Sequence, residues 1–287
     1  MGYLRSWMFV PGNHQRRLEK VGGLSSDVII YDLEDAVPLH EKDKARILVQ
    51  DSLQIHAGRI QYVRINDPST TFYLQDVNGI VGKELAGIVL PKVADGKQLH
   101  AVDAHLALLE AQRGIKLGAT EIMPIIETAA GLYRAYEIAT ASDRVKRLAF
   151  GSVDFTLDIG AIPTSEGLEI LYARSQLVAI SRAAEIEAPI DAVFTDVKDP
   201  AGLSRDARLG RQLGFQGKLV IHPDQITVIH EAFTPTEREI AEARTIAAAF
   251  QEALKAGSAS IQVNGKLVDY PVAIRARRML EQAGILE

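Results

Sequence analysis

The 287-residue sequence contains no cysteine. That excludes a disulfide framework, a thiolate nucleophile, a cysteine-ligated zinc site and an iron–sulfur cluster. It also lacks an excess of positive charge. Lys and Arg number 32 against 37 Asp and Glu, a formal net charge of −5, which argues against a nucleic-acid binder while still allowing a local basic patch. No apolar run approaches the ~20 residues of a membrane span. The opening Met-Gly-Tyr-Leu-Arg-Ser-Trp-Met-Phe-Val-Pro-Gly-Asn13 has no apolar stretch of signal-peptide type before Pro11-Gly12, so the expected location is cytoplasmic, with no membrane partner. Nucleophile elbows, phosphate-binding glycine loops and His-Glu-x-x-His zinc sites are also missing.

What is present is an alternation. Short Val/Ile-rich runs at Ser6–Val10, Val28–Leu33, Gln61–Ile65, Gly87–Leu90, Glu121–Ile126, Arg147–Phe150, Ala192–Thr195 and Lys218–Ile221 read as strands. Longer stretches between them carry 3.6-residue periodicity. In Glu166–Glu187 the face is expected to be Leu168, Leu171, Tyr172, Ser175, Val178 and Ala179. Pro235–Ala256 reads as another helix, with Thr234 as N-cap. Strands that read as continuous apolar runs are buried on both faces, as parallel strands are. Eight strand–helix units in about 255 residues predict an α/β fold of the TIM (β/α)8 barrel type. A doubly wound sheet is the alternative, but no Gly-x-Gly-x-x-Gly follows an early strand. Beyond Gly257, Ser260–Val263, Asn264-Gly265 and Lys266–Val268 read as a hairpin and Pro271–Ala283 as a last helix. The expected organisation is a barrel over 1–256 and a small C-terminal cap over 257–287.

In such a barrel the chemistry sits at the C-terminal strand ends. Those positions carry Asp32, Glu34 and Asp35, then Arg64 and Asn66, Lys92, Glu127, Asp154, Asp196 and His222. Glu127 and Asp154, on consecutive strand ends, suit a hard cation such as Mg²⁺, which takes one or two carboxylates and completes its shell with water and substrate. Otherwise each caps the helix that follows it. Arg64 offers a planar fork to a substrate carboxylate, or a buried ion pair to a neighbouring acid. The Asp32/Glu34/Asp35 cluster either orients Arg64 and metal-bound water or pairs structurally with Lys92 or Arg64. His222 is by itself a weak signal. The basic stretch His14 to Lys20 is either a solvated helix face or a site for a phosphate-rich ligand.

Eight segments in order resemble the citrate lyase β-subunit-like family of CoA-ester lyases, within the HpcH/HpaI aldolase superfamily. They are Arg5–Asn13, Asp32-Leu-Glu-Asp35, Val63-Arg-Ile-Asn66, Leu90-Pro-Lys92, Ile126-Glu-Thr-Ala-Ala-Gly131, Asp154-Phe155, Ile221-His-Pro223 and Val268-Asp-Tyr-Pro271. The resemblance implies a Mg²⁺-dependent barrel that makes or breaks the bond between an acyl-CoA α-carbon and a 2-oxo acid. It implies Glu127 and Asp154 as metal ligands and Arg64 as the clamp on the 2-oxo acid. It places Phe9, Lys20, Ile221 and His222 beside CoA, with Arg16 as a phosphate partner. Val153 stands where the family usually carries Glu, which leaves the acyl acceptor open.

The activity expected from this is cleavage or formation of a 3-hydroxy-3-carboxyacyl-CoA, such as malyl-CoA or citramalyl-CoA. A CoA-independent aldolase of free 2-oxo acids and a non-catalytic CoA-binding protein are the alternatives. The resemblance further implies a homo-oligomer, a trimer or a multiple of it. In that assembly Asp269 of the cap would reach a neighbouring subunit and move a proton, unless it merely caps the final helix.

Overall fold

The computed structural model describes residues 4–285. Eight parallel strands close into a barrel in sequence order, β1 (Ser6–Pro11), β2 (Val28–Asp32), β3 (Ile60–Arg64), β4 (Gly87–Leu90), β5 (Glu121–Ile126), β6 (Ala149–Phe150), β7 (Ile190–Asp191) and β8 (Gly217–Val220), with β8 pairing back onto β1. Around them run α1 (Gln15–Glu19), α2 (Lys42–Ile55), α3 (Tyr73–Ile80), α4 (Gly96–Arg113), α5 (Ala129–Tyr133), α6 (Ala135–Thr140), α7 (Ser152–Asp158), α8 (Leu168–Ala183), α9 (Pro200–Leu213) and α10 (Gln225–Phe233). The expected TIM barrel is the observed fold.

Its strands are buried on both faces, and β2 is buried at every residue. Inside, Trp7, Val28, Ile30, Tyr62, Val89, Met123, Ile125, Ala149, Ile190 and Leu219 form one cluster. Trp7 and Tyr62 meet edge-on with centroids 5.1 Å apart. At the N-terminal end Arg147 closes the barrel. It donates to Glu121 at 2.7 Å and Glu187 at 2.7 Å, and its guanidinium stands over Trp7. The rim at the opposite end is left for chemistry.

One strand and one helix face need correction. Strand β7 is Ile190–Asp191, while 192–195 is irregular. The β-branched and aromatic Ala-Val-Phe-Thr run drew the sequence reading away from a strand that ends in a buried carboxylate. That carboxylate also decides the face of α8. Asp191 pairs with Arg174 and with Lys218, so the helix buries Ala173, Arg174, Leu177 and Ser181, while Leu168 and Tyr172 are exposed. The apolar stripe predicted for this helix is therefore not its packed face.

The chain divides into two compact units, Leu4–His230 with the barrel and the segment from Glu231 onward. In the second unit α11 (Glu237–Lys255) packs with a hairpin of β9 (Ile261–Val263) and β10 (Lys266–Val268) and with α12 (Tyr270–Gln282). Phe250 of α11 buries against Val268 and Ala273 and meets Tyr270 edge-on at 5.2 Å. These contacts put α11 with the hairpin rather than with the barrel, to which the sequence reading had assigned it. Its N-cap is Thr236, in a capping box with Glu239, instead of Thr234. The Asn264-Gly265 turn has φ of 49° and 77°, the left-handed pair a two-residue hairpin requires.

Candidate active site

Glu127 follows β5 directly and is 3% exposed. It does not cap α5, since Thr128 does so by accepting from Gly131 N. Its Oε1 accepts from the backbone N–H of Lys92 at 2.5 Å. Gly151 leaves the space beside it, because a Cβ there would lie 2.6 Å from Glu127 Oε2. Burial, opposed by the Lys92 N–H and reinforced by the Asp154 charge, pushes the Glu127 carboxyl up to about 8. Asp154 is the third residue of α7, whose N-cap is Gly151, so it too is free of a capping role. Both carboxylates line one small cleft with Phe9, Arg64, Ile125, Ser152, Val153 and Val193. No arginine or lysine forms an ion pair with either among the described residues.

Arg64 ends β3 and is already engaged. Its Nε and Nη2 donate to Asp32 at 2.8 and 2.6 Å, a side-on bidentate pair, and Nη1 lies 3.1 Å from Glu34. Phe9 sits under its guanidinium, 4.9 Å from ring centroid to Cζ. The fork that sequence reasoning offered to a substrate is thus taken by Asp32. What remains is the Nη1 group, whose approach to Glu34 is an ion pair without a hydrogen bond, and one N–H of Nη2, on a residue that lines the cleft. Glu34 also accepts from Lys92 Nζ at 2.8 Å, and Asp35 lies 3.6 Å from the same nitrogen. The acidic cluster therefore both pairs structurally and orients Arg64.

A second cleft opens between β1, α1 and the end of β8. Phe9, Lys20, Ile221 and His222 all line it, as does Arg17. Arg16 does not. It faces a neighbouring depression with Asn13, His14 and Lys44. Arg17 and Lys20 are three apart and Arg16 and Lys20 four apart, and both spacings share a helix face, so the sequence alone does not choose between the two arginines. Asp196 binds its own turn through Lys198 N and is exposed, so it belongs to neither cleft. Asp269 is the N-cap of α12 and accepts from Val272 N at 3.3 Å.

Two carboxylates without a cationic partner, beside an arginine pre-oriented by two acids, are a donor set for a hard divalent ion that keeps positions open for substrate. Among the described residues no three His, Asp or Glu side chains gather as a closed metal cage. No helix there is long and apolar enough to cross a membrane.

Comparison with known proteins gives the family. Residues 5–223 match the family model for HpcH/HpaI aldolase/citrate lyase, and residues 170–285 match that for a C–C bond lyase of the TIM-barrel fold. The citrate lyase subunit beta of Leuconostoc mesenteroides subsp. cremoris is 41% identical over 97% of this chain and 93% of its own length. The human mitochondrial citramalyl-CoA lyase is 31% identical over 97% of this chain and 85% of its own. Among solved structures, the protein CitE of Mycobacterium tuberculosis in complex with magnesium, acetoacetate and coenzyme A superposes with a TM-score of 0.81 at 29% identity, covering 98% of each chain. The chain belongs to the HpcH/HpaI aldolase/citrate lyase family of TIM-barrel carbon–carbon lyases.

Proposed function

We propose that this protein is a Mg²⁺-dependent lyase that splits a 3-hydroxy-3-carboxyacyl-CoA, of the malyl-CoA or citramalyl-CoA kind, into an acyl-CoA and a 2-oxo acid, or joins the two. The observation that carries the reading is the cleft shared by Glu127, Asp154 and Arg64, in which two acids lack a protein cation. The magnesium and CoA in the related CitE complex support it.

Glu127 and Asp154 would hold the metal, which supplies Lewis-acid charge to the substrate's hydroxyl and carboxylate oxygens. One N–H from each terminal nitrogen of Arg64 would meet the 2-oxo acid end-on, with Asp32 keeping the guanidinium from swinging. Phe9, Ile221 and His222 would bound the thioester arm, and Lys20 and Arg17 would meet its phosphates. In the cleavage direction the hydroxyl proton leaves, the carbon–carbon bond breaks, and its electron pair goes to the thioester enolate. That enolate takes a proton at its α-carbon. We assign the proton to Asp269 of a neighbouring subunit, in a homotrimer or a multiple of it. Asp269 precedes a helix in a small hairpin-and-helix unit, while Glu127 and Asp154 are assigned to the metal, Asp32 and Glu34 meet Arg64, and Asp196 holds its own turn. The cleft formed by Phe9, Arg17, Lys20, Ile221 and His222 favours a CoA-dependent reaction over an aldolase of free 2-oxo acids.

The test is calorimetric. Glyoxylate, pyruvate and oxaloacetate are titrated with and without Mg²⁺ and with and without acetyl-CoA. Binding of at least one acid that requires Mg²⁺, with formation of a 3-hydroxy-3-carboxyacyl-CoA when acetyl-CoA is present, is the expected result. Binding indifferent to Mg²⁺ overturns the reading.

A further inference from the structure

Beside the metal cleft lies a larger chamber. It has a volume of about 490 Å³ against about 70 Å³ for the cleft itself. Ser152, Val153 and Val193 line both, so the two adjoin along that edge. Beyond it the walls include Leu157, Pro163, Ile170 and Phe194.

The floor is charged but closed to a ligand. Arg174 donates to Asp191 at 3.0 Å and to Asp206 at 2.9 Å, and Lys218 donates to Asp191 at 2.8 Å and lies 2.6 Å from Asp206. Arg174 and Lys218 are each 1% exposed. Two cations thus face two carboxylates, and no net charge is left over to draw an anion in.

Direction follows from the topology. Arg64 ends β3, and Val193 follows β7, four strands away in a ring of eight. They face each other across the barrel mouth. The Phe9–Lys20–His222 cleft opens at a third place, the β8–β1 edge. A 2-oxo acid gripped by Arg64 at its carboxylate, with the thioester arriving from the β8–β1 side, therefore turns its remaining substituent toward Val153 and Val193.

We propose that the chamber behind Val153 is a specificity subsite for an uncharged alkyl substituent on the 2-oxo acid, so that the protein prefers 2-oxo acids with an extended apolar side chain over glyoxylate and over dicarboxylic acids. This rests on the lyase reading given above and narrows its substrate class. A distal carboxylate entering the same edge would lose water among valines without gaining a cation.

The experiment uses the full chain with Mg²⁺ and measures affinity by calorimetry for glyoxylate, pyruvate, 2-oxobutyrate and 2-oxopentanoate. A second pair compares 4-methyl-2-oxopentanoate with oxaloacetate, which differ in shape little and in charge by one. Affinity is expected to rise about three- to fourfold per added carbon, and the branched acid is expected to exceed oxaloacetate by at least about tenfold. Ile170→Trp, which fills the chamber from α8, is expected to bring 2-oxopentanoate down to the affinity of pyruvate. A flat or falling series with Mg²⁺-dependent pyruvate binding intact overturns the subsite alone, as does tighter binding of oxaloacetate than of the branched acid. Absence of any Mg²⁺-dependent binding overturns the lyase reading and the subsite with it.

Discussion

Lys92 donates its backbone N–H to Glu127 Oε1 at 2.5 Å from a left-handed backbone with φ of 53°. A lysine in that region costs about 1–2 kcal/mol relative to ordinary helical or extended backbone. The conformation is held by its own side chain, since Nζ is tied to Glu34. The arrangement fixes one oxygen of Glu127 and leaves the other beside the glycine at 151, open to the cleft. Loss of either acid should therefore act on metal binding and not on folding. Glu127→Gln and Asp154→Asn are each expected to lower Mg²⁺ or Mn²⁺ affinity by more than about 100-fold and to abolish turnover, with an unchanged circular dichroism spectrum. Normal metal titration in either variant would remove that acid from the metal site.

Arg64→Lys retains the charge but neither the side-on pair with Asp32 nor the end-on pair proposed for the 2-oxo acid. Two charge-assisted hydrogen bonds to the substrate are replaced by at most one. The affinity for the 2-oxo acid is expected to fall about 10- to 100-fold, while CoA affinity stays within about twofold. Equal pyruvate affinity in wild type and variant would make Arg64 purely structural.

The strand ends that carry Arg64, Lys92 and Glu127 were legible in the sequence because parallel strands buried on both faces leave polar residues mostly at their rims, while Asp154, read as a strand end, lies one turn on in α7. Strand β7 was not, because its burial depends on Asp191 meeting Arg174 and Lys218, residues distant in sequence. A pattern of apolar residues cannot encode a packed face made of an ion cluster, and the same cluster hid the true inner face of α8. Likewise nothing local in Pro91-Lys92 announces a left-handed lysine. The engagement of Arg64 by Asp32 is a cross-strand pairing, set by the β2–β3 register that places the two residues side by side.

The sequence reading takes Arg16 as the phosphate partner in the basic stretch at α1, whereas Arg17 shares a cleft with Lys20 and His222. Arg17→Ala is expected to weaken CoA binding about tenfold at low salt, and less as salt screens the phosphates. Arg16→Ala is expected to stay within about threefold. Calorimetry with CoA at two ionic strengths separates them, and a larger loss for Arg16 would reverse the assignment.

Stability against acid is set away from the site. Glu110 is fully buried and accepts two hydrogen bonds from Arg144, at 2.8 and 2.7 Å, and others from the backbone of Thr120 and Gly118. Burial works against the charge, but those donors hold its carboxyl down at about 2, below the ordinary 4.5. A carboxyl lowered on folding contributes its full stabilisation above the unfolded value and loses it as pH falls toward the folded one. The urea midpoint is therefore expected to drop between about pH 5 and pH 2. Glu110→Gln should flatten that fall, and should cost about 1–3 kcal/mol at pH 7, since Arg144 keeps its ion pair with Asp103. An unaltered slope in the variant would assign the acid sensitivity to other carboxylates, such as Asp27, which the bonds from His230 and Arg5 lower against its burial.

Asp269 accepts from Val272 N, so its capping of α12 is a structural role that a proton-transfer role must share. The two are separable by mixing. Asp269→Asn keeps a side-chain oxygen that caps nearly as well, so the variant is expected to fold and to lose turnover. Glu127→Gln chains lose turnover through the barrel. In a ring of subunits whose sites each combine one chain's barrel with a neighbour's cap, a 1:1 mixture rebuilds a site wherever an Asp269→Asn barrel meets a Glu127→Gln cap. Random assembly makes that about one quarter of the sites. After dissociation and reassociation, turnover near one quarter of wild type is the expected outcome. With subunit exchange confirmed by mass, a mixture as inactive as its parents would place Asp269 outside a shared site and leave it the helix cap alone.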